Sequence, residues 1–238
     1  MLEDPAGRAE LQRLGARSIP VLSRGDKFVF AQNIAQVVEF LKLDEKTGPV
    51  LSPAQLVERL DRFIGAALQI IPLMPDDRLD IEVPNRPRKY RILAHHMFRI
   101  PEAFLEVAGG KVFSQGLPTE VARPEDMAST AALAAYGRGV RERVAAWWPG
   151  KADKTCGETV QTYYGSQSLH EVLERATWHI GQHCRQWMML LEMAGVVFEQ
   201  PLSDPDFADL PMPNRSGTAE YPTRPGESPD PLFRRSIS

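Results

Sequence analysis

The sequence is poor in cysteine and has no long apolar run. Its two cysteines, Cys156 and Cys184, are too few to build a disulfide framework. No apolar stretch approaches the roughly 20 residues that a helix needs to cross a bilayer. The first residues lack the basic region followed by an apolar stretch that is typical of secretory signal peptides. We therefore expect no membrane association and a cytoplasmic location.

Neither sign of charge is in large excess. The chain has 28 Lys and Arg against 31 Asp and Glu, whereas nucleic-acid-binding proteins usually carry a clear basic excess. This balance argues against nucleic acid or an acidic membrane surface as the main partner, and a small-molecule substrate is expected instead. With 43% hydrophobic and 25% charged residues, the composition is that of a globular protein with a substantial core.

Residues 1–43 predict a helix, a hairpin and a second helix. The first helix should end at Gly15, a residue that suits a left-handed C-cap. Two short apolar runs, 18–22 and 28–30, surround a glycine-containing turn and predict a β-hairpin. Asn33 is the expected N-cap of an amphipathic helix that closes the segment.

This segment resembles the C-terminal half of a glutaredoxin or thioredoxin-like domain. The resemblance rests on Ala16-Arg17-Ser18-Ile19-Pro20-Val21-Leu22, on the Gly25-Asp26 turn and on the closing helix. It implies that the backbone at Ile19 and Pro20 could bind a glutathione-like thiol. The first strand and the Cys-x-x-Cys helix of that family are not found, so the resemblance covers an incomplete domain and carries no redox chemistry.

Residues 52–198 are dominated by helical periodicity. Apolar residues recur at helical spacing in four long stretches, at 53–71, 89–107, 125–148 and 169–194. Long helices with extended connections predict a mainly α fold, a four-helix bundle. Residues 199–238 are rich in proline and poor in bulky apolar residues, so they predict a tail that is disordered or draped over the surface.

Three of the five histidines suggest a metal site. His179 and His183 are four residues apart in the last long helix, so their side chains lie on one face, one turn apart. A third ligand would come from His95 or His96. His96 is in line with Ile92 and with apolar residues further along the helix, which predicts that it faces the core.

His95 is instead in line with Arg91, Arg99 and Glu102, which predicts that it faces water. His96 is therefore our predicted ligand and His95 the alternative. The competing interpretation is that all these histidines are packing residues, because histidines also pack, cap and pair in proteins without a metal. For Cys184, beside His183, an inert core thiol is the favoured interpretation.

Two motifs resemble the DinB/YfiT-like family of metal-dependent four-helix bundles. Trp178-His179-Ile180-Gly181-Gln182-His183-Cys184-Arg185-Gln186 is similar to its fourth helix, and Leu93-Ala94-His95-His96-Met97-Phe98-Arg99 to its second. The resemblance implies a divalent metal, with zinc expected and nickel or another ion as alternatives. Its ligands would be His96, His179 and His183, with Gln186 hydrogen-bonding beside them.

The resemblance also implies a choice of chemistries. Relatives of this family include S-transferases and isomerases that use low-molecular-weight thiols such as mycothiol, bacillithiol or glutathione. The hypothesis is a metal-dependent enzyme that activates a glutathione-like thiol for S-transfer to, or isomerisation of, a small electrophile. The alternatives are a non-catalytic metal- or ligand-binding stress protein and a metal-dependent hydrolase. A homodimer is also expected, since such bundles often pair.

Overall fold

The computed structural model describes residues 4–16, 20–31, 34–45, 47–84, 86–119 and 124–212. Its helices and strands follow each other along the chain as α1 Pro5–Leu14, β1 Val21–Arg24, β2 Lys27–Phe30, α2 Ile34–Leu41, α3 Pro53–Ile70, α4 Tyr90–Ala108, α5 Thr130–Gly150, β3 Thr159–Thr162, β4 Gly165–Ser168, α6 Leu169–Met193 and α7 Asp204–Phe207. The mainly α fold with a four-helix bundle is confirmed, and the bundle consists of α3, α4, α5 and α6.

The ends of the long helices follow from local capping. Ser52 and Gln55 form a capping box at the start of α3, and Ser168 and Glu171 form another at the start of α6. Each box satisfies backbone N–H groups that have no partner within the helix. The third helix begins later than its sequence pattern predicts, at Thr130, because Ser129 accepts a hydrogen bond from the third helical residue.

The order of the helices around the bundle brings α6 beside α4. Neighbouring pairs are α3 with α6, α6 with α4, α4 with α5, and α5 with α3. Helices α3 and α4 follow each other along the chain but lie on a diagonal of the bundle, with few contacts between them. This arrangement places the middle of α4 against the histidine-bearing stretch of α6.

The N-terminal helix, hairpin and closing helix are all present. Strand β1 pairs antiparallel with β2 in a register that sets Val21 opposite Phe30, and Gly15 ends α1 with φ +68°. Phe30 packs against the bundle core, and the Gln36 amide lies beside Gly165 at the start of β4. The bundle itself thus covers part of this segment. The predicted cap Asn33 lies outside the described residues.

The start of the C-terminal tail lies on the bundle surface. In residues 199–212 the short helix α7 brings the Phe207 ring onto Phe63 of α3, with 5.3 Å between the ring centroids. Leu202 and Leu210 are buried. The tail is thus draped over the bundle as far as residue 212, and the prediction of disorder for 213–238 lies outside the described residues. Among the helices the structure describes, none combines the length and apolar character needed to span a membrane.

Candidate metal centre

Three histidines from two helices converge inside the bundle. His96 comes from the middle of α4, and His179 and His183 come from successive turns of α6. One ring nitrogen from each lies within 4.8 Å of the other two. His96 and His183 are buried, with 7% and 8% of their surface exposed, and His179 is partly buried.

Hydrogen bonds orient two of the three rings. His96 Nδ1 lies 2.7 Å from the Pro118 carbonyl oxygen, and His183 Nδ1 lies 3.0 Å from Gln186 Oε1. Both partners are acceptors, so each Nδ1 carries the proton and each Nε2 keeps its lone pair. A metal-binding histidine typically has this arrangement, with its outer nitrogen donating to a carbonyl or carboxamide oxygen.

The Nε2 atom of His183 is buried without a hydrogen-bond partner among the described residues. Leaving a buried polar atom unsatisfied costs about 1–3 kcal/mol of folding free energy. An apolar side chain would fill the same space without this cost. A divalent cation would satisfy this lone pair, and three neutral imidazoles are a common donor set for zinc. The residues therefore fit a bound divalent metal.

All three rings are held in the neutral form. Burial lowers the pKa of His96 to about 4 and that of His179 to about 3, and it brings the pKa of His183 well below its usual value. His96 lowers the pKa of His179 and His183 further, Arg88 lowers the pKa of all three rings, and Arg175 lowers that of His179. Neutral imidazole is the form that binds a metal, so no proton has to be removed at neutral pH.

His95 points away from this cluster. Its ring stacks on Tyr136 of α5, with 4.6 Å between the centroids and 6° between the planes, and it is 6% exposed. The predictions that His95 and Arg99 face water and that Ile92 faces the core are wrong, since Arg99 is buried and Ile92 is 40% exposed. Helix α4 packs against both α5 and α6, so it buries a wider part of its surface than a single stripe.

Sequence reasoning placed Gln186 beside the site but missed Pro118. Gln186 is one turn beyond His183 on the same helix, and the structure pairs these two side chains. Pro118 lies in the Leu117–Thr119 turn, far from any helical pattern, and only its backbone oxygen takes part. No side-chain signal in the sequence could have found it.

A cleft opens beside His179, with about 270 Å³ of empty space that includes the part open to solvent. Besides His179, it is lined by one charged side chain, Arg175, and by Ile100, Phe104, Phe113, Pro118, Val172 and Ala176. Arg175 is four residues before His179 on α6, so a search for residues at helical spacing from the histidine pair could have found it.

The charged groups that act most strongly on the three rings are cations. Arg88 depresses the pKa of all three histidines, and Arg175 that of His179. Arg88 is itself partly buried, and burial together with nearby Arg86 lowers its pKa. The site thus combines neutral donor atoms with a positive surrounding potential, which favours an anion as the group that approaches it.

The remaining residues that the sequence singled out lie elsewhere. Cys184 is fully buried and its thiol pKa is raised by burial, as expected of an inert core thiol. His170, at the start of α6, is partly buried and bonds the Leu51 carbonyl through Nε2 at 2.8 Å. Pro20 is exposed at the start of the hairpin, and its carbonyl accepts a hydrogen bond from Ala31. Ile19 lies outside the described residues, so thiol binding there stays a prediction.

Comparison with known proteins shows a similar fold in a solved structure but no related sequence family. No protein-family model matches the sequence, and no curated protein matches it. Among solved structures, this chain is similar to YfiT from Bacillus subtilis, described as a probable metal-dependent hydrolase with an unusual four-helix bundle topology. The TM-score is 0.51 at 14% identity, and the match covers 65% of this chain and 96% of YfiT. At this identity the likeness shows a shared four-helix bundle fold.

Proposed function

We propose that this protein is a metal-dependent enzyme in which His96, His179 and His183 hold a divalent cation, with zinc expected, that activates a small nucleophile. The observation that carries the proposal is the convergence of three neutral imidazoles, one with a buried and unpartnered Nε2. A divalent cation on three imidazoles keeps an open coordination position, where it lowers the pKa of a bound water or thiol.

The residues around the histidines prepare the site. The bonds from His96 to the Pro118 carbonyl and from His183 to Gln186 fix the rings before any ligand arrives. The cleft beside His179 gives a small molecule access to that ring, and its mostly apolar lining limits the entry of water.

A low-molecular-weight thiol is the nucleophile we favour. The strongest charges around the histidines are Arg88 and Arg175, and the carboxylate nearest in sequence, Glu174, is engaged by the Val50 backbone, with its pKa raised to about 7 by burial. No base is evident beside the rings in the described residues. A thiol, with a pKa of about 8.5, needs less help to lose its proton than water, with a pKa of about 15.7, and the two arginines would stabilise the thiolate.

A hydrolase is the second candidate. The solved structure with a similar bundle, YfiT, is described as a probable metal-dependent hydrolase. The two candidates differ in their need for a thiol. Glutathione with an activated aryl chloride would form a C–S bond as the C–Cl bond breaks, releasing chloride and a proton, whereas ester or amide hydrolysis would proceed without any thiol.

Metal analysis of the purified protein tests the site itself. We expect about one zinc ion per chain after zinc loading and desalting, and loss of that ion in His96→Ala and His183→Ala. The matched control is His95→Phe, which preserves the ring stack on Tyr136 but removes the neighbouring imidazole. Full zinc content in His183→Ala, or loss of zinc in His95→Phe alone, would contradict the assignment.

A further inference from the structure

We infer that the cleft beside His179 binds a small carboxylate with an apolar body, and that the Arg175 guanidinium receives the carboxylate. The inference deepens the proposed function by naming a substrate class, and it rests on that function only for what happens after binding. Two observations carry it: the lining of the cleft, and the lack of a carboxylate partner for Arg175 among the described residues.

Arg175 forms no ion pair with any carboxylate of the described residues. Its Nε is buried without a hydrogen-bond partner there. Two other arginines of the bundle are paired with carboxylates: the buried Arg99 with Glu102 and Glu106, and the partly buried Arg141 with Asp61. Arg175, which lines a cleft without such a carboxylate partner among the described residues, differs from these two arginines.

Two aromatic rings hold the Arg175 guanidinium in place. Its Cζ lies 5.1 Å from the centroid of the Tyr164 ring and 5.7 Å from that of Trp178. Aromatic rings engage the faces of a guanidinium and leave its edge donors free. The group is thus fixed in orientation before a ligand binds, which reduces the entropy lost on binding.

The chemistry of the cleft favours a carboxylate on an apolar body. A guanidinium edge presents two parallel N–H donors that match the two oxygens of a carboxylate. The rest of the lining is apolar, with Ile100, Phe104, Phe113 and Val172 around the same space. The empty space of about 270 Å³ includes a part that is open to solvent, so it is an upper limit and the ligand is small.

Arg88, which lies just before α4, also favours an anionic ligand. It is partly buried, it forms no ion pair with a carboxylate of the described residues, and it acts electrostatically on all three histidines. A second unpaired guanidinium near the rings strengthens the positive potential, which attracts anionic ligands and disfavours cationic ones.

The test compares benzoate with benzamide, which has the same shape and no charge. Binding of each is measured by calorimetry to the full chain after a chelator has removed metal, so that a carboxylate cannot bind through an ion. We expect benzoate to bind about tenfold more tightly than benzamide, or better, and Arg175→Gln to bring the two affinities to within about twofold of each other.

Two variants control the test. Arg185→Gln removes another arginine of α6 that rests on an aromatic ring, Phe207 at 5.5 Å, and it should keep the preference for benzoate. Arg175→Lys keeps the charge and should keep part of the preference. Equal affinities for the two probes in the wild type, or a preference that survives Arg175→Gln, would overturn the inference.

The result is separable from the fate of the metal site. A wild-type protein that prefers benzoate but binds no zinc would leave the inference standing and defeat the proposed function. A protein that binds zinc through the three histidines but binds benzoate and benzamide with equal affinity would support the proposed metal site and overturn the inference.

Discussion

At the scale of single residues, the site depends on groups that hold the histidines as well as on the histidines. Gln186 accepts a hydrogen bond from His183 Nδ1, and the Pro118 carbonyl accepts one from His96 Nδ1. These bonds select the tautomer that exposes Nε2 and restrict rotation of the rings. Without them, the rings would sample orientations in which the three nitrogens no longer converge.

Replacing Gln186 tests this positioning role. We expect Gln186→Met to keep the bundle folded and to weaken zinc affinity about 10–100-fold, measured by competition with a chromophoric chelator. Gln200→Met is the control, since Gln200 is exposed and donates a long hydrogen bond of 3.4 Å to Glu192 at the surface. Unchanged zinc affinity in Gln186→Met would show that the hydrogen bond does not position a ligand.

At the scale of elements, close packing between α4 and α5 sets the position of the helix that bears His96. Gly137 of α5 faces the Phe98 ring of α4, and a Cβ atom added there would lie 2.4 Å from Phe98 Cζ. No side chain fits in that space without moving a ring or a helix. Glycine is therefore required at this position by the approach of the two helices, despite its low helix propensity.

A pair of glycine substitutions on α5 tests this contact. Gly137→Ala should lower the free energy of unfolding by about 1–3 kcal/mol, because the clash outweighs the helical preference of alanine. Gly139→Ala, whose Cβ would lie at an ordinary contact distance of 3.6 Å from the Arg143 guanidinium, should raise stability by up to about 1 kcal/mol. Urea unfolding measures both, and equal effects of the two substitutions would contradict the packing argument.

At the scale of the whole molecule, a segment beyond the four helices completes the core. Leu202 is 5% exposed, and the Phe207 ring covers Phe63 of α3. Arg59 and Arg62 of α3 reach the backbone carbonyls of Pro205 and Pro201. Residues 199–212 thus serve as an outer layer on α3, although their composition suggests a tail.

Truncating one side chain of this layer tests its contribution. Leu202→Ala should lower the free energy of unfolding by about 2 kcal/mol, the lower end for a buried leucine, because the segment can partly adjust. Val197→Ala, at a side chain that is 97% exposed, should change it by less than about 0.5 kcal/mol. Indistinguishable urea midpoints for the two variants would mean that the segment is not part of the cooperative core.

Much of the fold could be predicted because it is encoded locally. Serine caps such as Ser52 and Ser168 and the 3.6-residue periodicity lie within a few residues of the helices that they define. The pairing of His179 with His183 is equally local, since helical geometry alone sets their spacing. The sequence by itself therefore determined the four helices and two of the three candidate ligands.

The rest was decided by tertiary structure. Whether His95 or His96 meets α6 depends on which side of α4 faces α5, and both sides of that helix are buried. The hydrogen bond between His96 and the Pro118 carbonyl joins two separate parts of the chain. The packing of Arg175 between the Tyr164 and Trp178 rings likewise depends on a residue outside α6. Contacts of this kind arise from the packing of helices and turns against each other, which no local pattern in the sequence specifies.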